Sequence, residues 1–376
     1  MPRSLVVTND FPPKQGGIEN FVYQLVSRLP ADEVVVFTSS ADGDREFDAE
    51  LPFPVVRART RVLLPTAHIR RGAEILIDRF SCNAVYFGAA ASLGLMAARL
   101  RRTTPAKRFI GSSHSHECFW VKAPPTRAAV RSIAQSLDHL TVISAYSEDA
   151  IGQVLRPQER ARLVRLSPGV DPAQFAADGA AVRRELGLGR RPVILSVSRL
   201  VPHKGQDTLI RALPTVLAAV PEAELAVVGE GPYRERLTRL AEDLRVSDAV
   251  HLVGAVPHAE IPPYYAAADV FAFPTRDRTA GLQVEGLPTV ALEAAAAGLP
   301  VVVGDSGGAA ETVRQGETGF VVNSLDPQET ASRLIELLLD RDRAATMGAA
   351  GRAWMAQEWT WDQRAALLGR LLAGAA

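Results

Sequence analysis

The stretch that most constrains this chain is Glu285-Gly-Leu-Pro-Thr-Val-Ala-Leu-Glu293, two carboxylates with seven residues between them. Leu287, Val290 and Leu292 point to the buried start of a helix, and Pro288 suits its first position, where a missing N–H costs nothing. Ala294 to Ala297 continue the helix, Gly298 can cap it, and Pro300 ends it before the apolar run 301–303. Glu285 is then expected in the loop ahead of the helix and Glu293 inside it, roughly 10 Å apart at ~1.5 Å of rise per residue. Free backbone N–H groups at the helix start lie between them and can take a diphosphate. The spacing fits a nucleotide sugar laid across the turn, one carboxylate at hexose hydroxyls and the other at ribose. Taken alone, the pair reads equally as a solvated loop glutamate and a capping helix glutamate.

A chain of 376 residues exceeds one ordinary core, so two domains are expected. Forty-two basic and 42 acidic residues cancel, which argues against nucleic acid as a partner. Two cysteines, Cys82 and Cys118, exclude a disulfide scaffold and suit a reducing cytosol. The N-terminal apolar run is too short for a signal peptide, and no uncharged apolar run approaches the ~18 residues of a membrane span. A cytoplasmic enzyme is expected.

In chain order, apolar residues 5–8 predict a strand, followed by the loop Asn9-Asp-Phe-Pro-Pro-Lys-Gln-Gly16-Gly17 and a helix over 18–29. Gly16 and Gly17 let backbone approach a ligand and aim free N–H groups at it, or simply make a strand-to-helix turn. Asp10 is placed to bind a hydroxyl or to serve the turn. Strand-like runs recur at 33–37, 55–56, 84–87 and 107–110 with helical patterns between, the clearest at 90–101. This alternation predicts a doubly wound parallel sheet. Arg57, Arg59, Arg61, Arg70 and Arg71 surround Val62-Leu63-Leu64-Pro65, a pattern that serves either an anionic membrane face or ordinary surface solvation.

His114, His116 and Cys118 alternate after the fourth of these strands, so an extended segment would put them on one face as metal ligands stand. No second cluster completes such a site, and His114 better fits a polar contact in a ligand cleft. Ser167-Pro-Gly-Val-Asp-Pro172 marks the domain boundary, giving domains over 1–168 and 172–357 with a terminal helix at about 358–376 that packs back on the first. The second half repeats the grammar, with strands at 193–197, 224–228, 250–253, 270–273 and 319–322. Arg199 and Lys204 follow its first strand, where cations can face a diphosphate leaving group. Gly229-Glu-Gly-Pro232 is no dinucleotide fingerprint. Asp42-Gly-Asp44 and Asp340-Arg-Asp342 read as surface turns, and Trp354, Trp359 and Trp361 as packing for the terminal helix.

Together, Thr8-Asn-Asp-Phe-Pro-Pro with Gly16-Gly17-Ile18, Ser198-Arg-Leu-Val-Pro-His-Lys204-Gly-Gln-Asp, Val284-Glu-Gly-Leu with Glu293-Ala, and Ser306-Gly-Gly-Ala-Ala-Glu-Thr resemble retaining glycosyltransferase family 4. Within it the chain looks most like actinobacterial phosphatidylinositol-mannoside mannosyltransferases, on Val85-Tyr-Phe-Gly-Ala-Ala-Ala, Asp269-Val-Phe-Ala-Phe-Pro-Thr-Arg and Met347-Gly-Ala-Ala-Gly-Arg. The resemblance implies a GT-B fold, two Rossmann-like α/β domains with a cleft between them. It implies a donor held by the C-terminal domain and an acceptor held by the N-terminal one. Arg199 and Lys204 would neutralise the diphosphate, Glu285 hold the hexose, Glu293 the ribose, and the backbone of Gly286, Leu287, Pro288 and Thr289 the distal phosphate. His114 would contact the hexose near the reacting carbon, and Gly16 and Gly17 would close over the phosphates. Asn9, Asp10 and His116 are the acceptor candidates.

The implied reaction is a same-face substitution in which the leaving phosphate helps deprotonate the acceptor, with no protein nucleophile, no cofactor and no metal. The implied donor is GDP-mannose and the implied acceptor an inositol-containing phospholipid glycoside, with the enzyme peripheral on the inner face of the plasma membrane. Residues 253–257 and 275–283 are placed to read the base and do not by themselves distinguish guanine from uracil. The chain departs from the mannoside pattern Thr-His-Gly-His-Glu at Ser113-His-Ser-His-Glu117, and from Val-Gly-Trp at Cys118-Phe-Trp120. That departure keeps open a UDP- or GDP-sugar enzyme with a soluble acceptor such as a natural-product glycoside or inositol sugar. Two further alternatives are a same-fold epimerase and a non-catalytic nucleotide-sugar binding protein.

Overall fold

The computed structural model describes residues 3–279 and 283–375, so the tip of the loop expected over 275–283 lies outside the described residues. The chain forms two compact units, Met1–Pro168 with Trp361–Ala376, and Gly169–Thr360. The first break falls inside Ser167-Pro-Gly-Val-Asp-Pro172.

The first unit is built on seven parallel strands: β1 (Ser4–Val7), β2 (Val34–Ser39), β3 (Val55–Ala58), β4 (Ala84–Phe87), β5 (Arg108–Ser113), β6 (His139–Val142) and β7 (Leu163–Arg165). Their order is β3-β2-β1-β4-β5-β6-β7. Strands β1, β2 and β4 are buried along their whole length, as continuous apolar strands must be when helices cover both faces. The helix Gly17–Val26 buries Phe21, Val22, Leu25 and Val26. The helix expected over 90–101 is replaced by a 3-10 turn, Leu93–Met96, running into a helix Ala97–Thr103. Ser92 stands at φ +61°, so the helical ladder cannot begin before it.

The second unit carries six parallel strands: β8 (Val193–Val197), β9 (Glu224–Val228), β10 (Val250–Gly254), β11 (Val270–Phe273), β12 (Val301–Gly304) and β13 (Gly319–Val322). Their order is β10-β9-β8-β11-β12-β13. Winding reverses between β8 and β11, which pair through Val270 with Ile194 and Phe271 with Leu195. The loops leaving these two neighbours open a crevice at their carboxyl ends, where ligands bind in open α/β sheets. Arg199 and Lys204 follow β8 and Glu285 follows β11.

The three tryptophans divide their work. Trp354 and Trp359 meet edge to face at 5.6 Å in the second unit. Trp361 opens the terminal helix Trp361–Ala373 of the first unit and meets Phe21 at 5.9 Å. That helix packs on Gly17–Val26 and on β4 and β5. No helix among the described residues is long and apolar enough to cross a membrane.

Gly205 ties the β8 loop to the β11 loop. It sits at φ +79°, and a Cβ there would stand 1.9 Å from the Pro274 carbonyl oxygen. Replacing it with alanine incurs a left-handed penalty of ~1–2 kcal/mol and forces the two loops apart. Gly205→Ala should therefore lower the urea midpoint by at least that equivalent, read by circular dichroism against an alanine at Gly17, where a Cβ meets open space.

Candidate functional site

In the second unit, Lys204 closes the 3-10 turn Pro202–Lys204 and its Nζ donates to Glu285 Oε2 at 2.6 Å. The ammonium also lies 5.1 Å from the centre of the Phe273 ring. An ammonium has three donors, so two remain for a phosphate while Glu285 keeps the third. Glu285 Oε1 has no partner among the described residues and can accept from a ligand hydroxyl. Arg199 is exposed and its guanidinium likewise has no partner among them. The helix expected at Pro288 starts one residue later, at Thr289–Ala296, with Pro288 in the cap position at ψ 106°. Proline carries no N–H, so the backbone amides this helix start can offer a ligand are those of Gly286, Leu287 and Thr289.

Glu293 is buried within that helix, where its Oε2 accepts from the Tyr265 hydroxyl at 2.8 Å. Burial pushes its carboxyl above the usual range, while His258 and the Tyr265 hydroxyl act the other way. Its Oε1 has no partner among the described residues.

Sequence reasoning missed His203. Burial lowers its pKa first, Lys204 adds to this, Glu285 opposes, and Arg199 and Arg278 lower it further. One imidazole thus senses the charges of four groups from two loops, and its buried Nδ1 has no partner among the described residues. Asp277 and Ser306 were missed as well: Ser306 Oγ donates to Asp277 Oδ1 at 2.5 Å and accepts the Glu285 N–H at 3.1 Å. Ser306 opens a quoted motif and Asp277 falls in the 275–283 segment, but the bonds that join them to each other and to Glu285 span 29 and 21 positions and are not encoded locally.

In the first unit, His114 follows β5 and its Nε2 stands 2.6 Å from the Gly88 carbonyl oxygen. A carbonyl only accepts, so Nε2 carries the proton and neutral Nδ1 offers a lone pair. Phe21 meets the imidazole edge to face at 4.8 Å. Gly88 in turn has no room for a Cβ, which would stand 2.9 Å from Thr8 and Val22 side-chain atoms. The helix after Gly16-Gly17, the β4 turn and the His114 segment therefore meet at the switch point between β1 and β4. Burial is the main reason the His114 pKa falls to about 4; the Gly88 bond opposes and His116 adds to the fall.

The remaining candidates are mixed. Asn9 is engaged by Leu63 on both atoms, Nδ2 donating to its carbonyl at 2.9 Å and Oδ1 accepting its N–H at 2.5 Å. One Nδ2 hydrogen remains for a ligand. Asp10 is partly buried, and its carboxyl is raised by burial and then by Glu19, against Lys14 and His116. His116 is exposed. The expected alternation of His114, His116 and Cys118 on one face does not occur. Strand β5 ends at Ser113, Ser115 turns at φ +72°, and Glu117–Trp120 is a helical turn. Glu117 is buried and clamps the loops, accepting from Ser113 Oγ at 2.8 Å and from the Ala91 N–H at 3.0 Å.

The arginine cluster is thinner than its sequence. Arg57 is turned inward onto Asp48 at 2.8 Å and the Pro12 and Ser39 carbonyls, and Arg70 pairs with Glu74. Arg61 pairs with Asp42 at 3.1 Å in the open. Arg59 and Arg71 stay exposed, as do Val62 and Leu64 on either side of the fully buried Leu63.

The family model for glycosyl transferases group 1 matches residues 180–354, and that for glycosyltransferase family 4 matches residues 15–174. The GDP-mannose-dependent alpha-(1-6)-phosphatidylinositol monomannoside mannosyltransferase of Mycolicibacterium smegmatis is 44% identical over 377 residues, 98% of each chain. The monoacylated phosphatidylinositol monomannoside mannosyltransferase of Corynebacterium glutamicum is 43% identical, covering 96% of this chain and 95% of its own. Among solved structures, Anabaena HepE in complex with UDP superposes with a TM-score of 0.82 at 19% identity over 99% of this chain and 100% of its own, a likeness of fold.

The lowered His114 pKa has a signed consequence. Unfolded, the imidazole takes a proton near 6.5; folded, it resists until about 4. Between those values the unfolded state binds more protons, so the His114 contribution to stability should fall as pH drops from 6.5 to 4, by up to ~3 kcal/mol, while the Glu117 and Glu293 carboxyls, raised by burial, pull the other way. Urea unfolding of parent and His114→Gln side by side isolates the histidine: the parent's stability relative to the variant should drop as pH falls from 6.5 to 4 and hold constant above 6.5.

Proposed function

The chain belongs to glycosyltransferase family 4, and we propose that it moves mannose from GDP-mannose, with retention, to a hydroxyl of a phosphatidylinositol mannoside. The observation that carries this reading is the grouping of Arg199, Lys204 and Glu285 at the switch point of the second sheet, ahead of the helix Thr289–Ala296. The cations meet the charge that grows on the departing diphosphate, and the amides of Gly286, Leu287 and Thr289 take the distal phosphate. Glu285 accepts from hexose hydroxyls through the oxygen that Lys204 leaves free. Glu293, held by Tyr265, turns its second oxygen to ribose. His114, neutral at physiological pH, accepts a hydroxyl proton of the hexose at Nδ1, and Gly16 and Gly17 bring backbone against the phosphates. The acceptor falls to Asp10 and His116, with Asn9 acting through its last free hydrogen.

Because fixed guanidinium and ammonium groups supply the positive charge, the transfer runs without a catalytic metal. Thermal-shift titration tests the donor assignment. GDP and GDP-mannose should stabilise the protein with or without magnesium, by ~2.7 kcal/mol at a hundredfold excess over Kd. UDP should not match them, and Lys204→Ala should abolish the shift. A shift confined to UDP would reassign the donor.

The acceptor's lipid nature suggests peripheral contact with the inner membrane face from the cytoplasm. The support is local: Val62 and Leu64 are exposed in the loop that follows the exposed Arg59, and Arg71 is exposed on the helix after it. The protein should float with vesicles containing phosphatidylinositol, severalfold less so as Leu64→Glu with Arg59→Glu. A soluble-acceptor enzyme would stay at the bottom of the gradient in both forms.

A further inference from the structure

Glu285 is fastened by groups to which the proposed reaction gives no part. Ser306 is buried, and its single hydroxyl bridges two loops, donating to Asp277 and accepting the Glu285 N–H. On the other side of the residue, the Gly308 N–H donates to the Glu285 carbonyl at 3.0 Å. Gly307 lies between at φ +53°, where a Cβ would stand 1.9 Å from that carbonyl oxygen. The turn after β12 thus clasps both polar backbone groups of Glu285, while Lys204 holds one carboxylate oxygen.

Asp277 adds direction. A serine hydroxyl has one proton, and giving it to Asp277 fixes the rotor so that a lone pair faces the Glu285 N–H. Asp277 is exposed and precedes Arg278, which exchanges backbone bonds of 2.9 and 3.1 Å with Gln283. An exposed carboxylate has little core packing to contribute, so its bond to a buried serine points to placement of what that serine holds.

We propose that Asp277 and Ser306 are positioning residues for the transfer: Asp277 orients the Ser306 hydroxyl, and Ser306 sets the backbone of Glu285 so that its carboxylate meets the hexose in reactive geometry. The proposal rests on the assignment of Glu285 to the hexose. Asp277 lies in the 275–283 segment expected near the base, but its Oδ1 is taken by Ser306, and both residues act here through Glu285, so their loss should act on kcat and leave nucleotide binding in place.

The test uses the full chain, GDP-mannose and phosphatidylinositol monomannoside, with GDP affinity from calorimetry and thermal midpoints in parallel. Asp277→Ala and Ser306→Ala should each lower kcat about 10- to 100-fold, the cost of a misplacement near 1 Å, with GDP affinity held within about threefold. Asp277→Asn retains an acceptor oxygen and should recover kcat to within about threefold of the parent. Asp277→Ala folds without disturbing the core, so it decides the matter if Ser306→Ala loses stability. Parental kcat in Asp277→Ala, equal damage in Asp277→Asn, or GDP affinity lost in step with kcat would each overturn the proposal. Glu285→Gln is the control on the premise: if it keeps parental kcat, the assignment of Glu285 falls, whatever Asp277 does.

Discussion

The pairing of β11 beside β8 is the constraint on which the second unit depends. These strands are neighbours in the sheet although β9 and β10 lie between them in sequence. Their loops leave on opposite sides of the sheet and leave a crevice at the carboxyl end. That geometry brings Lys204 to Glu285, 81 positions away, within 2.6 Å. The register is stiff because β8 and β11 are buried throughout, and a one-residue slip would turn every side chain to the opposite face. The loops are then drawn together by contacts that leave no space for side chains, such as Gly205 against Pro274.

Charge in this crevice is arranged in advance of any ligand. Arg276 is neutralised in place by Asp207, at 2.7 and 2.8 Å, and serves the loop. Lys204 is paired with Glu285 and keeps two donors in reserve. Arg199 and Arg278 have no side-chain partner among the described residues. An incoming diphosphate therefore meets cations whose attraction is not spent, beside a His203 whose pKa is lowered first by burial and further by those cations. Little reorganisation is needed as charge develops, which is the condition under which fixed dipoles and ions are most effective.

The sheets were legible because buried parallel strands carry an unmistakable pattern: continuous apolar runs such as 193–197 and 270–273 stand with the same bounds in the fold. Helix limits were less so, since Ser92 at φ +61° and Pro288 at the cap carry conformations that periodicity does not encode. Site residues on motifs could be named from sequence, but their partners could not. His203, Tyr265, Asp277 and Ser306 act across distances of 20 residues or more, and such pairings exist only once strand order is set. The arginine run was thinned by nearer partners: Arg57 turns in on Asp48, and Arg70 pairs with Glu74 one helical turn on.

The same logic bears on the acceptor end, where the segment from Ser113 to Trp120 departs from the mannoside pattern. Position 115 stands at φ +72°, a conformation that suits glycine and costs an ordinary residue ~1–2 kcal/mol. Ser115 offsets part of this through its hydroxyl, which lies 3.3 Å from Ser147 Oγ, itself 2.9 Å from Ser144 Oγ. Ser147 and Ser144 are fully buried, so the added atoms point into the unit, toward the helix Ala145–Gly152. Cys118 is buried beneath the same turn, where burial and its bond to Ser147 compete and burial prevails, raising the thiol to about 11. The serine and the cysteine thus extend an internal polar network, and His114 keeps its place between Phe21 and the Gly88 carbonyl. At Ser115 and Cys118 the departure is taken up by the interior, while Phe119 stays half-buried as the bulk added at this turn.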